Sequence, residues 1–256
     1  MNVTKDIGDE NINIDKSHPS IIKIEENKTN DIELSFRLTE EHANKQISKL
    51  NIKKATGCDS ISPKILKLAQ PSISNPINIL VNKSIESSIF PENLKAAQVS
   101  PLFKKNNSLD KGNYRPVSVL PCISKIYERA IHDQFIMDFL DKQSHPLLSA
   151  FIPGFGCQTA LLKIIEDCNK ALDDNKFIAA ILMDLSKDFD CLPHNLLLLK
   201  LEVYGLSKNS LKLLQSYLEN RKHRIKIGSY YSDWDQMCKG VPQGSILTQF
   251  FSNLYK

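Results

Sequence analysis

Residues 177–190 read Phe177-Ile178-Ala179-Ala180-Ile181-Leu182-Met183-Asp184-Leu185-Ser186-Lys187-Asp188-Phe189-Asp190. Seven apolar residues in a row, led into by the polar Asp173-Asp174-Asn175-Lys176, predict a buried strand over 177–183, a run too short for an ordinary helix. Asp184 then stands at the strand's C-terminal end, where open α/β sheets present their chemistry. Asp188 and Asp190 follow close behind. In an arbitrary protein such a cluster is more often a solvated turn with a helix cap, so a second signal is needed to give it a function.

That signal lies about fifty residues on, in Gly240-Val241-Pro242-Gln243-Gly244-Ser245-Ile246-Leu247. A strand, then Asp-x-x-x-x-Phe-Asp, then Gly-Val-Pro-Gln-Gly-Ser, in this order, resembles the palm of a reverse transcriptase of the non-LTR, LINE- or jockey-like retrotransposons. Three further segments carry the same resemblance. Lys53-x-Ala55-x-Gly57-x-Asp59-x-Ile61 matches the opening of the polymerase domain. Asn113-Tyr114-Arg115-Pro116-Val117-Ser118-Val119-Leu120-Pro121, with Lys125 and Glu128 following, matches the fingers. Residues 149–159 match the family's Ser-Gly-Phe-Arg-Pro-Gly-x-x-x-x-Thr loop, with Ala150 in place of the glycine and Ile152 in place of the arginine, so one basic contact is missing.

Composition is compatible with this reading. The chain has 256 residues, 41% of them hydrophobic, enough for a sizeable core. No apolar run approaches the ~18 residues of a membrane span, and no hydrophobic signal core follows Met1, which reads as an intracellular chain with no membrane partner. The six cysteines form no Cys-x-x-Cys pair, so they read as reduced thiols, neither a zinc site nor a disulfide scaffold. The net charge of +4 is unevenly spread: residues 1–35 carry four lysines against eight acids, which leaves +8 on residues 36–256. A basic globular part suits a polyanionic partner.

Residues 1–35, acidic and without period, read as a disordered tail or linker, and 36–256 as the folded domain. Thr39 predicts the cap of a helix with Glu40 and Glu41 in its first turn and Ile47 and Leu50 on its buried side. Asn75 and Pro76 predict the start of a second helix that has Ile77, Leu80, Val81 and Ile85 on one face and stops at Phe90-Pro91. Residues 97–103 and 114–120 predict two strands joined by a polar loop, their prolines marking them as edge or irregular strands. Residues 123–141 read as an amphipathic helix on Ile123, Ile126, Tyr127, Ala130 and Ile131. A helix that buries Leu161, Ile164, Ile165, Cys168 and Leu172 leads to the 177–183 strand, and Asp173-Asp174 is its polar connector. Two helices follow over 192–206 and 210–218. Arg221 to Gly228 alternates as a strand, paired through Ser229-Tyr230-Tyr231-Ser232 with the strand before Gly240.

The fold class expected is therefore α/β (or α+β): a polymerase right hand made of fingers and a partial palm, with no thumb. The resemblance implies nucleotidyl transfer from a deoxynucleoside triphosphate (dNTP) to the 3′ end of a DNA primer on an RNA template. Two Mg²⁺ ions ~4 Å apart clamp the attacking and leaving oxygens in such a reaction. Asp184 falls at the catalytic metal ligand, with the Leu185 carbonyl as a second oxygen. Asp190 reads as a cap or hydrogen-bond partner. Lys104, Lys105 and Arg115 fall where basic residues hold the triphosphate, a chemistry that point-charged lysine and forked arginine suit. Phe189 falls at the aromatic gate that excludes a 2′-hydroxyl; a core phenylalanine is the alternative. Gln243 and Gly244 match the loop against the nucleotide and template base. Arg221, Lys222, Arg224 and Lys226, beside Tyr230, Tyr231 and Trp234, read as a nucleic-acid-binding strand.

Two departures qualify the resemblance. Asp188 stands where the family has a small residue, usually alanine, next to the triphosphate. Thr248-Gln249 replaces the family's Gly-Pro, and the 256 residues contain no Tyr/Phe-x-Asp-Asp hairpin after Gln243. The chain thus reads as a fragment inactive by itself; the alternatives are a non-enzymatic nucleic-acid-binding remnant and a relic with no stable fold.

Overall fold

The computed structural model describes residues 37–133, 149, 150, 152, 154–183 and 189–255. The tail at 1–35, the part of the expected 123–141 helix beyond 133, and Asp184, Leu185 and Asp188 lie outside the described residues. The rest is a mixed α/β arrangement, one sheet with helices packed beside it.

The chain enters through α1, Glu40–Ser48, whose cap is Thr39: its hydroxyl accepts the His42 N–H at 3.2 Å. The buried Asn82 amide pins this start, accepting from the Leu38 N–H at 2.7 Å and donating to the Leu38 carbonyl at 2.9 Å. Ser62 caps α2, Pro63–Leu68, and α3 follows after one residue as Gln70–Ser87. The helix expected from Asn75 thus begins earlier, with Pro71 in its first turn, where a missing N–H costs nothing. Pro76 lies inside it. An interior proline costs about 3 kcal/mol, while full burial of Ile77 and Val81, each about 1.5–3 kcal/mol, offsets that cost. Ser88, in the left-handed region at φ 55°, ends the helix, its N–H reaching the Ser84 and Ile85 carbonyls.

Strands β1, Ala97–Phe103, and β2, Tyr114–Val119, form the expected antiparallel hairpin, with Val99 opposite Ser118 and Leu102 opposite Arg115. Helix α4 is Cys122–Ile131, α5 Cys157–Asp173, α6 His194–Val203 and α7 Lys208–Leu218. Strand β3, Lys222–Ile227, pairs antiparallel with β4, Tyr230–Tyr231, and with β5, Asp235–Gln236. It also joins the hairpin, running parallel to β1 across Ala97, Gln98 and Val99 only. Pro101 falls beyond that overlap and Pro116 lies on the outer strand, so neither ring removes a needed bond. Helix α8, Leu247–Tyr255, was not expected; it buries Leu247, Phe250, Phe251 and Leu254 at helical spacing.

The core is assembled from α1, α3, α4, α6, α7 and α8. At its centre Phe90 meets Tyr127 edge-on at 5.3 Å and Tyr217 edge-on at 5.0 Å, which joins α4 to α7. Tyr127 gives its hydroxyl to the Leu80 carbonyl at 2.5 Å, and burial pushes its pKa up to about 12.

Two expectations are corrected. Residues 177–183 form no strand and are exposed, with Leu182 and Met183 at 93% and 89%. Helix α5 has no buried residue, and Leu161, Ile164, Ile165 and Leu172 all face out. An apolar run becomes a strand only against a neighbour that takes its N–H and C=O groups. Among the described residues none bonds to 177–183, and no second layer covers α5. Among the described residues, no helix is long and apolar enough to cross a membrane.

The segment after the undescribed 184–188 is tied to the later loop. The Val241 N–H donates to the Phe189 carbonyl and the Gly240 N–H to the Leu192 carbonyl, each at 2.8 Å. His194, at the start of α6, lies with Nε2 2.7 Å from the Gly240 carbonyl, so Nε2 carries a proton and the neutral ring suffices. Burial lowers its pKa below the ordinary 6.5, Arg221 adds to this, and the Gly240 bond and Glu219 oppose it.

Phe90→Ala is expected to lower stability by about 3–5 kcal/mol in urea denaturation, because it leaves a cavity between two buried tyrosines. For His194 the unfolded chain takes up its proton first as pH falls, so its contribution is complete above the unfolded pKa and is lost as pH drops through the folded one. The melting-temperature advantage of the wild type over His194→Asn is expected to hold steady above neutrality and to shrink below about pH 6.5. Taking the difference between the two proteins removes the other groups, His223 among them, which burial also holds low.

Candidate functional site

The site is built where the loop 240–246 lies between two other stretches of backbone. On one side is the Phe189-Asp190 turn. The Gln243 side-chain amide donates to Asp190 Oδ1 at 2.8 Å, which gives Asp190 the hydrogen-bonding part expected of it. On the other side is β2, whose outer edge carries the Ser118 N–H; it donates to the Gln243 carbonyl at 2.7 Å. Gln243 therefore spans the gap, side chain to one wall and carbonyl to the other.

Gly244 makes this approach possible. A Cβ there would stand 2.7 Å from the Ser118 carbonyl oxygen, and its φ of +123° is a region that other residues rarely adopt. The same holds at Gly240, where a Cβ would meet the Asp190 carbonyl at 2.6 Å. At Gly244 the surface approached is β2. Phe189 is half-buried and packs on the main core.

The basic residues expected to hold a triphosphate stand on the same hairpin. Lys104 and Lys105 begin the loop after β1, Arg115 lies near the start of β2, and all three are exposed. Arg115 is three residues from Ser118, or roughly 10 Å along an extended strand. The register also places Arg115 relative to β3. Pairs that face each other share a side of the sheet, so Arg115, Leu102, Ser100 and Gln98 lie on one face, and Gln98 opposite Arg224 extends that face to Lys222, Arg224 and Lys226. Arg115 and three of the nucleic-acid candidates, Lys222, Arg224 and Lys226, therefore sit on one side of one sheet.

Arg221 is withdrawn from that row. It is 1% exposed, donates through Nη1 to the Tyr217 carbonyl at 2.9 Å and lies 4.6 Å over the Tyr217 ring. The alternation of the strand explains the difference: Lys222, Arg224 and Lys226 share a face, and Arg221 falls on the other. Arg224 is flanked by Tyr231 at 4.3 Å and Trp234 at 4.6 Å, and Lys226 lies 5.3 Å from the Tyr231 ring. Tyr230, Tyr231 and Trp234 remain accessible beside them.

Asp184 and Leu185, the expected metal ligands, lie outside the described residues. Among the described residues no group of three His, Cys, Asp or Glu side chains converges as a metal site. The nearby carboxylate, Asp190, is engaged by Gln243. The described residues therefore do not by themselves make a metal cage.

The backbone contact of Ser118, the part of His194 and the depth of Glu128 went unread in the sequence. Ser118 acts through its backbone, which has no sequence signature, and His194 stands at an ordinary helix start. Glu128 carried a faint one: an acid four residues after Ser124 and beside the apolar Tyr127 and Ile131 on one helix.

Comparison with known proteins gives this geometry a family. Residues 103–255 match the family described as reverse transcriptase (RNA-dependent DNA polymerase). The chain is 27% identical over 216 residues to the RNA-directed DNA polymerase from mobile element jockey of Drosophila melanogaster, covering 82% of this chain and 23% of that protein. It is 30% identical over 207 residues to the probable RNA-directed DNA polymerase from transposon X-element of the same fly, covering 79% of this chain and 22% of that protein. Over 205 residues it is 25% identical to a retrovirus-related Pol polyprotein from the type-1 retrotransposable element R1 of Bradysia coprophila, 78% of this chain and 20% of that one. The chain thus spans about a fifth of the length of the relatives it matches. The matched region takes in the β1–β2 hairpin from Phe103 on, the Phe189-Asp190 turn and the Gly240 to Ser245 loop, and on that ground the chain belongs to the reverse transcriptase family, beside the polymerases of non-LTR retrotransposons.

Proposed function

We propose that this chain is part of an RNA-directed DNA polymerase, its fingers and a portion of its palm, working inside the cell on an RNA template, a DNA primer and dNTPs. The observation that supports it most is the meeting of three stretches distant in sequence, the Phe189-Asp190 turn, the Gln243-Gly244 loop and the basic β1–β2 hairpin. In this reading Lys104, Lys105 and Arg115 hold the triphosphate, Arg115 by its fork. Gln243 and Gly244 bound the nucleotide and the template base, and Phe189 rejects a 2′-hydroxyl by bulk. Lys222, Arg224 and Lys226 track a phosphate backbone while Tyr230, Tyr231 and Trp234 offer faces for bases. The Mg²⁺ that polymerisation requires falls to Asp184 with the Leu185 carbonyl.

A polypeptide of these 256 residues holds one acidic segment of the two that such a site needs. By itself it is proposed not to polymerise, and Asp188 adds repulsion beside the triphosphate. The second reading, a nucleic-acid-binding protein without catalysis, draws on the row formed by the exposed Lys222 and the partly exposed Arg224 and Lys226.

Primer extension on an RNA template with Mg²⁺ and dNTPs separates these readings. The 256-residue chain is expected to give no product. Joined to the Asp-Asp hairpin and thumb of a jockey-type relative, it is expected to extend the primer, faster with Asp188→Ala and not at all with Asp184→Ala. Loss of a group that stabilises transition-state charge typically costs orders of magnitude in rate. Incorporation by the unextended chain would overturn the assignment. Salt-sensitive binding without incorporation in any form would favour the second reading.

A further inference from the structure

Glu128 lies on α4 with 0% exposure, among residues that would pack well against leucine. Its carboxylate ends a chain of donors. Oε2 accepts the Ile246 N–H at 2.7 Å, and Oε1 accepts the Tyr217 hydroxyl at 3.1 Å and the Ser124 hydroxyl at 3.4 Å. The Tyr217 and Ser245 hydroxyl oxygens are 2.7 Å apart, and Ser245 Oγ accepts the Leu247 N–H at 3.1 Å. One direction of donation satisfies every proton: Leu247 N–H to Ser245, Ser245 to Tyr217, Tyr217 to Glu128. The carboxylate thus holds Ile246 directly and Leu247 through two hydroxyls.

A packing role alone does not account for this. An acid costs more to bury than a leucine of similar size, and replacing buried polar networks by apolar side chains is often neutral or stabilising. Here the burial cost is set against Arg221, the positive group that faces Glu128, whose Nη2 makes no hydrogen bond among the described residues. What the network secures is the position of two backbone amides where the loop 240–246 turns into α8. The loop's other end is held by Phe189, Leu192 and His194 through Gly240 and Val241. Gln243 and Gly244 lie between these two anchors.

We infer that Glu128 is a positioning residue: through Ile246, Tyr217 and Ser245 it fixes the exit of the loop and so sets where Gln243 and Gly244 stand. The task of the loop rests on the reading under Proposed function; the anchoring does not, and it is measured without nucleotide or nucleic acid. A failure of polymerisation therefore leaves this inference standing, and the reverse also holds.

The test is hydrogen–deuterium exchange on the 256-residue chain. In Glu128→Leu, peptides covering 242–249 are expected to exchange about tenfold faster, the effect of one or two lost buried hydrogen bonds, while peptides of α1 and α3 are unchanged. Glu128→Gln keeps an acceptor for Ile246 and is expected to restore slow exchange to within about threefold. Tyr217→Phe keeps the ring and removes the relay, so it is expected to speed 242–249 as well; if Glu128→Leu does not fold, this variant decides on the same criterion. Equal acceleration throughout the core, which a purely structural role produces, or unchanged exchange at 242–249, would overturn the inference.

Discussion

Two glycines allow backbone to meet backbone where no side chain could stand, and the shape of the site depends on that contact. Gly240 lies against the Asp190 carbonyl and Gly244 against that of Ser118. With the loop seated this closely, the Ser118 N–H and Gln243 carbonyl pair, Val241 and Gly240 reach Phe189 and Leu192, and the Gln243 side chain reaches Asp190. Short polar contacts to fixed backbone define a position better than apolar packing does, because they have direction as well as distance. The β1–β2 hairpin and the turn after residue 188 are therefore placed relative to each other through the loop.

Charge is divided between inside and outside in a way that follows from strand alternation. The inward Arg221 faces the buried Glu128 and stacks on Tyr217; the outward Lys222, Arg224 and Lys226 lie beside accessible aromatic rings. One short cationic segment thus supplies both a structural cation and a surface suited to phosphates. The sheet register carries that surface toward Arg115, so a single strand and a hairpin present cations on the same face.

Features fixed by neighbours in sequence were legible beforehand: the Thr39 cap, the β1–β2 hairpin and the β3 strand with its returning partner. Features that depend on distant partners were not. The parallel pairing of β1 with β3 leaves no local pattern, since register between strands over a hundred residues apart is set by the fold. Pro76 looked like a helix start because local rules do not weigh the burial of Ile77 and Val81. Helix α8 has apolar residues at proper spacing, but that spacing went unread. The apolar runs of α5 and 177–183 show the opposite case: their pattern was plain, and burial still requires a partner layer that the described residues do not supply. Of the candidate site, the hydrogen-bonding part of Asp190 was readable beforehand, while Gln243 and Gly244 were marked by the family resemblance alone. Arg221 was misplaced in depth and the burial of Glu128 went unread, because charge alone does not tell which side of an element faces in.

The central claim is that the loop 240–246 is seated by backbone contact on β2, and two glycine substitutions compared by urea denaturation test it most directly. Gly228, at φ +60° with open space around it, and Gly244, at φ +123° against Ser118, both have conformations that disfavour a side chain. Gly228→Ala is expected to cost about 1 kcal/mol from conformation alone. Gly244→Ala must also push the loop off β2, break the Ser118–Gln243 bond and disturb the Asp190 contact, so it is expected to cost about 2–3 kcal/mol more. Equal costs for the two substitutions would show that the close approach at Gly244 is not what holds the site together.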